Sequence, residues 1–368
     1  MLVKLLLSEV QSCQLTCKYL PQVCVLKDWD PAVDGFEVLG RVPRVIRTLR
    51  IKNLLSASID DNFILTVGRS LKGIIVEQSS KVQSLTVPHN STMENIMIQA
   101  SQLSSMYFEE NNALKFLTIV NSPLEQISRS VKNLTNLNVL NIRGTNLDVI
   151  DMSLFYPMKL LTELWLTSNK LHLASIPILP SNSSGIRHIK LQHNPLETIH
   201  FGLFLPFPML QVFDVSCNML TTVMGTFSNP LLKGLNLSSN NLTAVTFCEW
   251  EQLVKFDWLH VSRNRLKHVP SCLTTFPNVT MLNLSYNRIS HVAMQDFVGL
   301  NNLIDLDLGG NKILSFQFGY EIILPKFKNL RLYNSCICTL NASDVNVERM
   351  PNLKVWFVVF EHYNCTVC

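Results

Sequence analysis

The pattern L-x-x-L-x-L-x-x-N-x-L recurs along this chain of 368 residues. Leu232, Leu235, Leu237, Asn240 and Leu242 match it. So do Val279, Leu282, Leu284, Asn287 and Ile289, and Leu303, Leu306, Leu308, Asn311 and Ile313. Copies starting at Leu161, Ile186, Leu210 and Phe256 carry Asn169, Asn194, Asn218 and Asn264. Looser copies without the asparagine start at Ile46, Leu71, Met93, Leu114, Leu137, Phe327 and Leu353. Successive starts lie 21 to 26 residues apart. Self-similarity at such a period means stacked units sharing one continuous core, because a single unit cannot bury its own apolar face. Length alone suggests two or three domains at about 150 residues each. The period replaces them with one elongated array, which can outgrow a single globular core.

Each template position has its own physical task. With the first leucine as position 1, positions 4 and 6 alternate along a short strand and point inward, and positions 2, 3, 5, 7 and 8 face solvent. The asparagine at position 9 turns inward where the strand ends, and its amide can bond backbone groups that the turn leaves unpaired. Phe155, Phe204, Phe247 and Phe297 fall in the second halves of their repeats and should fill the opposite, convex side. The expected fold is an α/β leucine-rich-repeat solenoid, a curved horseshoe with a parallel concave sheet, about fourteen repeats and disulfide caps. The expected layout is a candidate signal-peptide remnant over residues 1–12, an N-terminal cysteine cap over 13–45, repeats over 46–330, and a final repeat with a C-terminal cysteine cap over 331–368.

Ten cysteines and nine Asn-x-Ser/Thr sequons point to an oxidising, secretory route and an extracellular protein. The expected glycan carriers are Asn90, Asn133, Asn182, Asn241, Asn278 and Asn341, with Asn364 a further sequon near the C-terminus. Asn236 and Asn283 sit at position 5, where N-L-S follows from the repeat consensus itself. Met1–Leu7 carries Lys4 and a short apolar run, and Val10-Gln11-Ser12 offers a cleavage site, so the start reads as a clipped signal peptide or a non-natural beginning. No later apolar stretch approaches the roughly 18 residues a membrane span needs. A hydrophobic share of 47% excludes disorder, and a net charge of +4 without a Lys/Arg block announces neither nucleic acid nor an anionic membrane.

Cys248 and Cys272 each lie 16 residues after a repeat start, at equivalent positions of adjacent repeats. Neighbouring equivalents come close enough for a disulfide, so a staple across two repeats is expected. The alternative is a pair of buried core thiols. Cys217, at position 8, and Cys368 are candidates for an unpaired thiol or a disulfide-linked dimer. No G-x-S-x-G, H-E-x-x-H, P-loop or G-x-G-x-x-G occurs, and the nine histidines lack ligand spacing. The reading is therefore not an enzyme, with no cofactor and no metal. Binding is better supported. The solvent-facing positions carry Arg143, Trp165, Lys190, Asp214, Asp257, Trp258, His260, Arg263, Tyr286, Asp305, Asp307, Arg331 and Tyr333. Tyr, Trp and Arg dominate interface energetics, so these form the candidate concave-face binding site. The plainer alternative is that the long aromatics only cover neighbouring strand positions.

The repeats resemble the 24-residue extracellular type of Toll-like ectodomains. The segment Cys17-Lys-Tyr-Leu-Pro-Gln-Val-Cys24-Val-Leu-Lys-Asp, leading into Val45–Ile51, and the segment Pro277–Ile289 are similar to the mosquito leucine-rich-repeat immune proteins. The resemblance implies cysteine caps: Cys17 with Cys24, and Cys336 or Cys338 with Cys365 or Cys368, the C-terminal connectivity staying open. It also implies innate-immune recognition, or a scaffold for complement-like thioester proteins, with another leucine-rich-repeat protein as a further candidate partner. Known members continue into a C-terminal coiled coil; this chain stops at Cys368 without heptads, so it reads as a short-type member or a truncated one. The alternative is a receptor ectodomain or a matrix or adhesion protein of the leucine-rich-repeat class.

Overall fold

The computed structural model describes residues 13–18, 23–110, 113–174, 184–319, 324–335, 339–340 and 353–356. Cys336, Cys338, Cys365 and Cys368, and the sequons Asn182, Asn341 and Asn364, lie outside them. The fold is a leucine-rich repeat solenoid. Its packing divides the chain into two compact units, one ending at Leu147 and the other beginning at Asp148, a division that falls inside the repeat run expected over 46–330.

The N-terminal unit opens with an antiparallel hairpin, Gln14–Lys18 against Val23–Lys27, in which Cys17 faces Cys24. The two are bonded with their Cα atoms 4.1 Å apart. Parallel strands follow at Thr48–Lys52, Gly73–Ser79, Asn95–Ser101, Phe116–Val120 and Val139–Arg143. Period-2 alternation buries Leu49 and Ile51, Ile74 and Val76, Ile96 and Ile98, Leu117 and Ile119, and Leu140 and Ile142. Position 9 in these looser repeats is not left empty. Ser79, Ser101, Ser122 and Thr145 occupy it, all buried. Ser79 Oγ accepts from Leu54 N–H at 2.9 Å and donates to Glu77 C=O at 2.9 Å, and Ser101 and Ser122 share a bond at 3.0 Å. The helix Asp61–Gly68 starts on Asp60, whose carboxylate accepts from Phe63 N–H, and it buries Phe63, Ile64 and Val67 on one face.

The C-terminal unit stacks parallel strands Glu163–Trp165, His188–Lys190, Val212–Asp214, Gly234–Asn236, Trp258–His260, Met281–Asn283, Asp305–Asp307, Asn329–Arg331 and Lys354–Trp356, all in register. Behind the seven strands from Glu163–Trp165 to Asp305–Asp307 buried asparagines form a ladder. Asn264 Nδ2 donates to Leu237, Val261 and Ser262 C=O at 2.9, 3.1 and 3.2 Å, while its Oδ1 accepts from Leu242 N–H at 3.0 Å. Asn194, Asn218, Asn240, Asn287 and Asn311 repeat the arrangement. On the convex side Phe155, Phe204, Phe247 and Phe297 are fully buried. Trp250 adds to them, its ring meeting those of Phe201, Phe227, Phe247 and Phe276 at 4.6 to 6.0 Å. Burying each such ring stabilises the fold by about 1.5–3 kcal/mol. Cys248 and Cys272 are bonded across adjacent repeats, Cα atoms 5.0 Å apart.

Candidate binding face

Three side-chain clusters stand on the solvent face of the C-terminal unit, each set by strand register. In the first, Glu163 pairs with His188 and Trp165 with Lys190 across two strands. Glu163 takes a 2.6 Å bond from His188 Nδ1 on one oxygen and a 2.9 Å bond from Trp165 Nε1 on the other. Lys190 Nζ lies 4.3 Å from the centre of the Trp165 ring, at cation–π distance.

In the second, Trp258 lies flat across its neighbour. A Cβ on Gly234 would meet the Trp258 indole at 2.0 Å, so only glycine leaves room for the ring. Trp258 and His260 rings are 4.8 Å apart, and His260 Nε2 is 3.4 Å from Met281 Sδ. Burial lowers the His260 ring below the ordinary imidazole value, against the opposing pull of the Asp214 carboxylate. Asp214 itself is spent locally: its carboxylate accepts from Ser216 N–H at 2.9 Å and from Asn236 Nδ2 at 3.0 Å. Asn236, Asn283 and Asp307 cap the position 7 N–H in the same way, at 2.9 to 3.1 Å.

The third cluster depends on a backbone feature at position 8, where the strand ends. Ser168, His193, Cys217, Ser239, Arg263, Tyr286, Gly310 and Asn334 all have φ between 53° and 67°. From Ser168 to Gly310 this left-handed step lets the N–H bond the next repeat's carbonyl, as Arg263 N–H does to Ser285 and Tyr286 N–H to Gly309. It also turns the position 8 side chain along the face. A Cβ on Gly310 would sit 2.6 Å from the Tyr286 ring, and one on Gly309 would sit 2.3 Å from the Tyr333 ring. Adjacent glycines thus seat two tyrosines, whose ring centres are 6.2 Å apart and edge-on. Arg263 stacks on Tyr286 at 4.8 Å. Tyr333 Oη donates to Asp307 at 3.3 Å. Burial first, then the Asp307 carboxylate and Tyr286, push the Tyr333 phenol up to about 12. Arg331 pairs with Asp305 at 3.6 Å.

The structure therefore brings Trp165 and Lys190 together, Asp214, Trp258 and His260 together, and Arg263, Tyr286, Asp307, Arg331 and Tyr333 together. Asp257 stands apart on the strand-entry edge, exposed, accepting from Thr280 Oγ1 at 2.6 Å. Arg143 ends a strand of the N-terminal unit, exposed. The position template did not reveal Glu163, His188, Gly234, Gly309 or Gly310 as partners. Glycine at both positions 7 and 8 of one repeat was the available signal: Gly144 is a second position 8 glycine, but Arg143 precedes it at position 7. Among the described residues no group of three His, Cys, Asp or Glu could hold a metal ion, and no helix is long and apolar enough to cross a membrane. Cys217 is an unpaired, half-buried thiol on this face, and Cys13 is another in the N-terminal unit, its thiol raised by burial and by Asp34.

Residues 255–313 match the leucine-rich repeat family model. Human Leucine-rich repeats and immunoglobulin-like domains protein 1 is 31% identical over 167 residues, covering 45% of this chain and 15% of that protein. The chain thus spans a small part of that relative's length. Among solved structures, the TLR13–ssRNA13 complex aligns at a TM-score of 0.61 and 18% identity, over 88% of this chain and 51% of its own. The complex of LRIM1 with APL1C, mosquito leucine-rich repeat proteins, aligns at 0.50 and 19% identity, over 87% and 63%. These likenesses are likenesses of fold. The in-register parallel strands, the asparagine ladder and the family match over residues 255–313 together show a leucine-rich repeat fold.

Proposed function

We propose that this chain is a secreted, non-enzymatic binding protein that takes a protein partner on the Arg263–Tyr286–Tyr333 ledge. The observation that carries the reading is the seating of both tyrosines on Gly309 and Gly310. Rings held in place before binding lose little conformational entropy when a partner arrives, and Tyr and Arg are the residue types that concentrate interface energy. Tyr286 is 41% exposed, which leaves its outer edge available for burial. The finer reading is innate-immune recognition or scaffolding of a complement-like thioester protein, with a second leucine-rich repeat protein as a further partner. It rests on the resemblance of the Cys17–Asp28 and Pro277–Ile289 segments.

The test is capture from extracellular fluid on immobilised full chain, with Tyr286→Ala/Tyr333→Ala and the remote Val149→Ser as comparison variants. A partner that Val149→Ser retains should bind the double variant at least about tenfold more weakly, roughly 1.4 kcal/mol or more. Equal affinity for both variants would move the site off this ledge. A recovered thioester protein supports the finer reading, and recovery of only unrelated proteins removes it.

A further inference from the structure

Between Asp257 and Asp296 the sequence contains no acidic residue, yet it contains Arg263, Arg265, Lys267 and Arg288. In one dimension these cations form no run. The fold makes them one. Arg265, Arg288 and Lys312 all occupy position 10 of three successive repeats, and the N–H of each bonds a carbonyl one repeat back, to Leu242, Leu266 and Ile289 at 2.8, 2.8 and 3.0 Å. They stack like rungs, about 5 Å from one to the next. Arg263 and Lys267 flank the row on the same strand-exit edge. All five are exposed. None pairs with a described carboxylate, whereas Arg50, Lys52, Lys115 and Arg331 each do. Rungs closer than the screening length of about 8 Å at physiological ionic strength add their potentials, so the row acts as one linear cationic strip.

We propose that this edge binds a sulfated polysaccharide. A linear strip of like charge matches a linear polyanion. A nucleic acid strand would also seek aromatic faces for its bases, and the edge has none open: Tyr286 is covered by Arg263 on one side and seated on Gly310 on the other. The two disulfides fit an extracellular setting, where such chains occur. The strip shares only Arg263 with the tyrosine ledge, and the test below leaves Arg263, Tyr286 and Tyr333 in place, so the two sites can fail independently.

The test uses the full chain on immobilised heparin across a salt gradient. The variant is Arg265→Ser/Arg288→Ser/Lys312→Ser. The control, Lys233→Ser/Lys255→Ser/Lys328→Ser, removes the same charge from exposed sites elsewhere in the unit. Wild type and control should bind at about 0.15 M NaCl, while the row variant binds at least tenfold more weakly. Its slope of log affinity against log salt should fall by about two to three, at roughly 0.7–0.9 for each of the three cations. Should the row variant melt measurably lower than the control, the single reversal Arg288→Glu gives the same comparison. Equal weakening by row variant and control overturns the proposal, as does wild-type protein that does not bind heparin at that salt. Tighter binding of single-stranded RNA than of heparin through the same residues also overturns it, and assigns the edge to nucleic acid.

Discussion

The two amide protons of Asn264 are shared among three backbone carbonyls and its Oδ1 accepts one backbone N–H, so removing its amide leaves several polar groups without partners. At about 1–3 kcal/mol for each stranded group, with some relaxation, Asn264→Ala should cost about 3 kcal/mol, read as a lower urea midpoint. A loss below about 1 kcal/mol would mean that water replaces the ladder. Gly309→Ala acts differently. Its backbone tolerates alanine, but the new Cβ displaces the Tyr333 ring, so partner affinity should fall as in Tyr333→Ala while the urea midpoint moves little. His260 adds a pH dependence. Its folded value is depressed by burial, so the unfolded chain takes up its proton first as pH falls. The stabilisation is present above the unfolded value and is lost as pH drops from about 6.5 through the folded value. Melting temperature between pH 7 and pH 5 should therefore fall more steeply in wild type than in His260→Gln. Tyr333 works in the opposite window, its stabilisation present below about 10 and lost as pH rises toward about 12. The asparagines were legible from spacing alone. That Asp214 and Asp307 spend their carboxylates capping the adjoining turn was not, because that bond depends on a turn geometry the template leaves unstated.

One repeat is the element of this fold, and its tolerances follow from what position 9 must supply. Most repeats place a short polar side chain there: Asn from Asn169 to Asn311, and Ser79, Ser101, Ser122 and Thr145 in the N-terminal unit, while Leu54 and Ser335 hold it in the first and a late repeat. A template requiring Asn grades the early repeats as weak, although a hydroxyl stands at position 9 in each of those four. The Cys248–Cys272 bond staples two repeats and closes a loop of 24 residues in sequence separation. Loop-closure entropy for such a length is about 3 kcal/mol. Cys248→Ser/Cys272→Ser should lower stability by that order in calorimetry and leave the strand register intact. A variant as stable as wild type would show that the stacked repeats alone hold this region. Equivalent spacing within the repeat was enough to bring these two cysteines together, since stacking turns equal position into spatial proximity.

For the whole molecule, the cysteines report on compartment and assembly together. In non-reducing peptide maps of the native chain, Cys17–Cys24 and Cys248–Cys272 should appear as bonded pairs, and iodoacetamide should label Cys217. Unlabelled Cys217 with a band at dimer size, abolished by Cys217→Ser, would instead identify a covalent dimer. Sequence alone determined the repeat period, the in-out alternation and the inward asparagines, and it put Cys248 and Cys272 at equivalent positions; the structure decided that they are bonded. These properties belong to residues at fixed spacing, and regular stacking carries spacing directly into space. Tertiary structure alone decided which solvent-facing side chains touch. Trp258 on Gly234, Tyr286 on Gly310, and Arg265 beside Arg288 and Lys312 join residues from neighbouring repeats. A side chain's rest position on such a face depends on the residue missing or present one strand away, and no pattern read within a single repeat contains that neighbour.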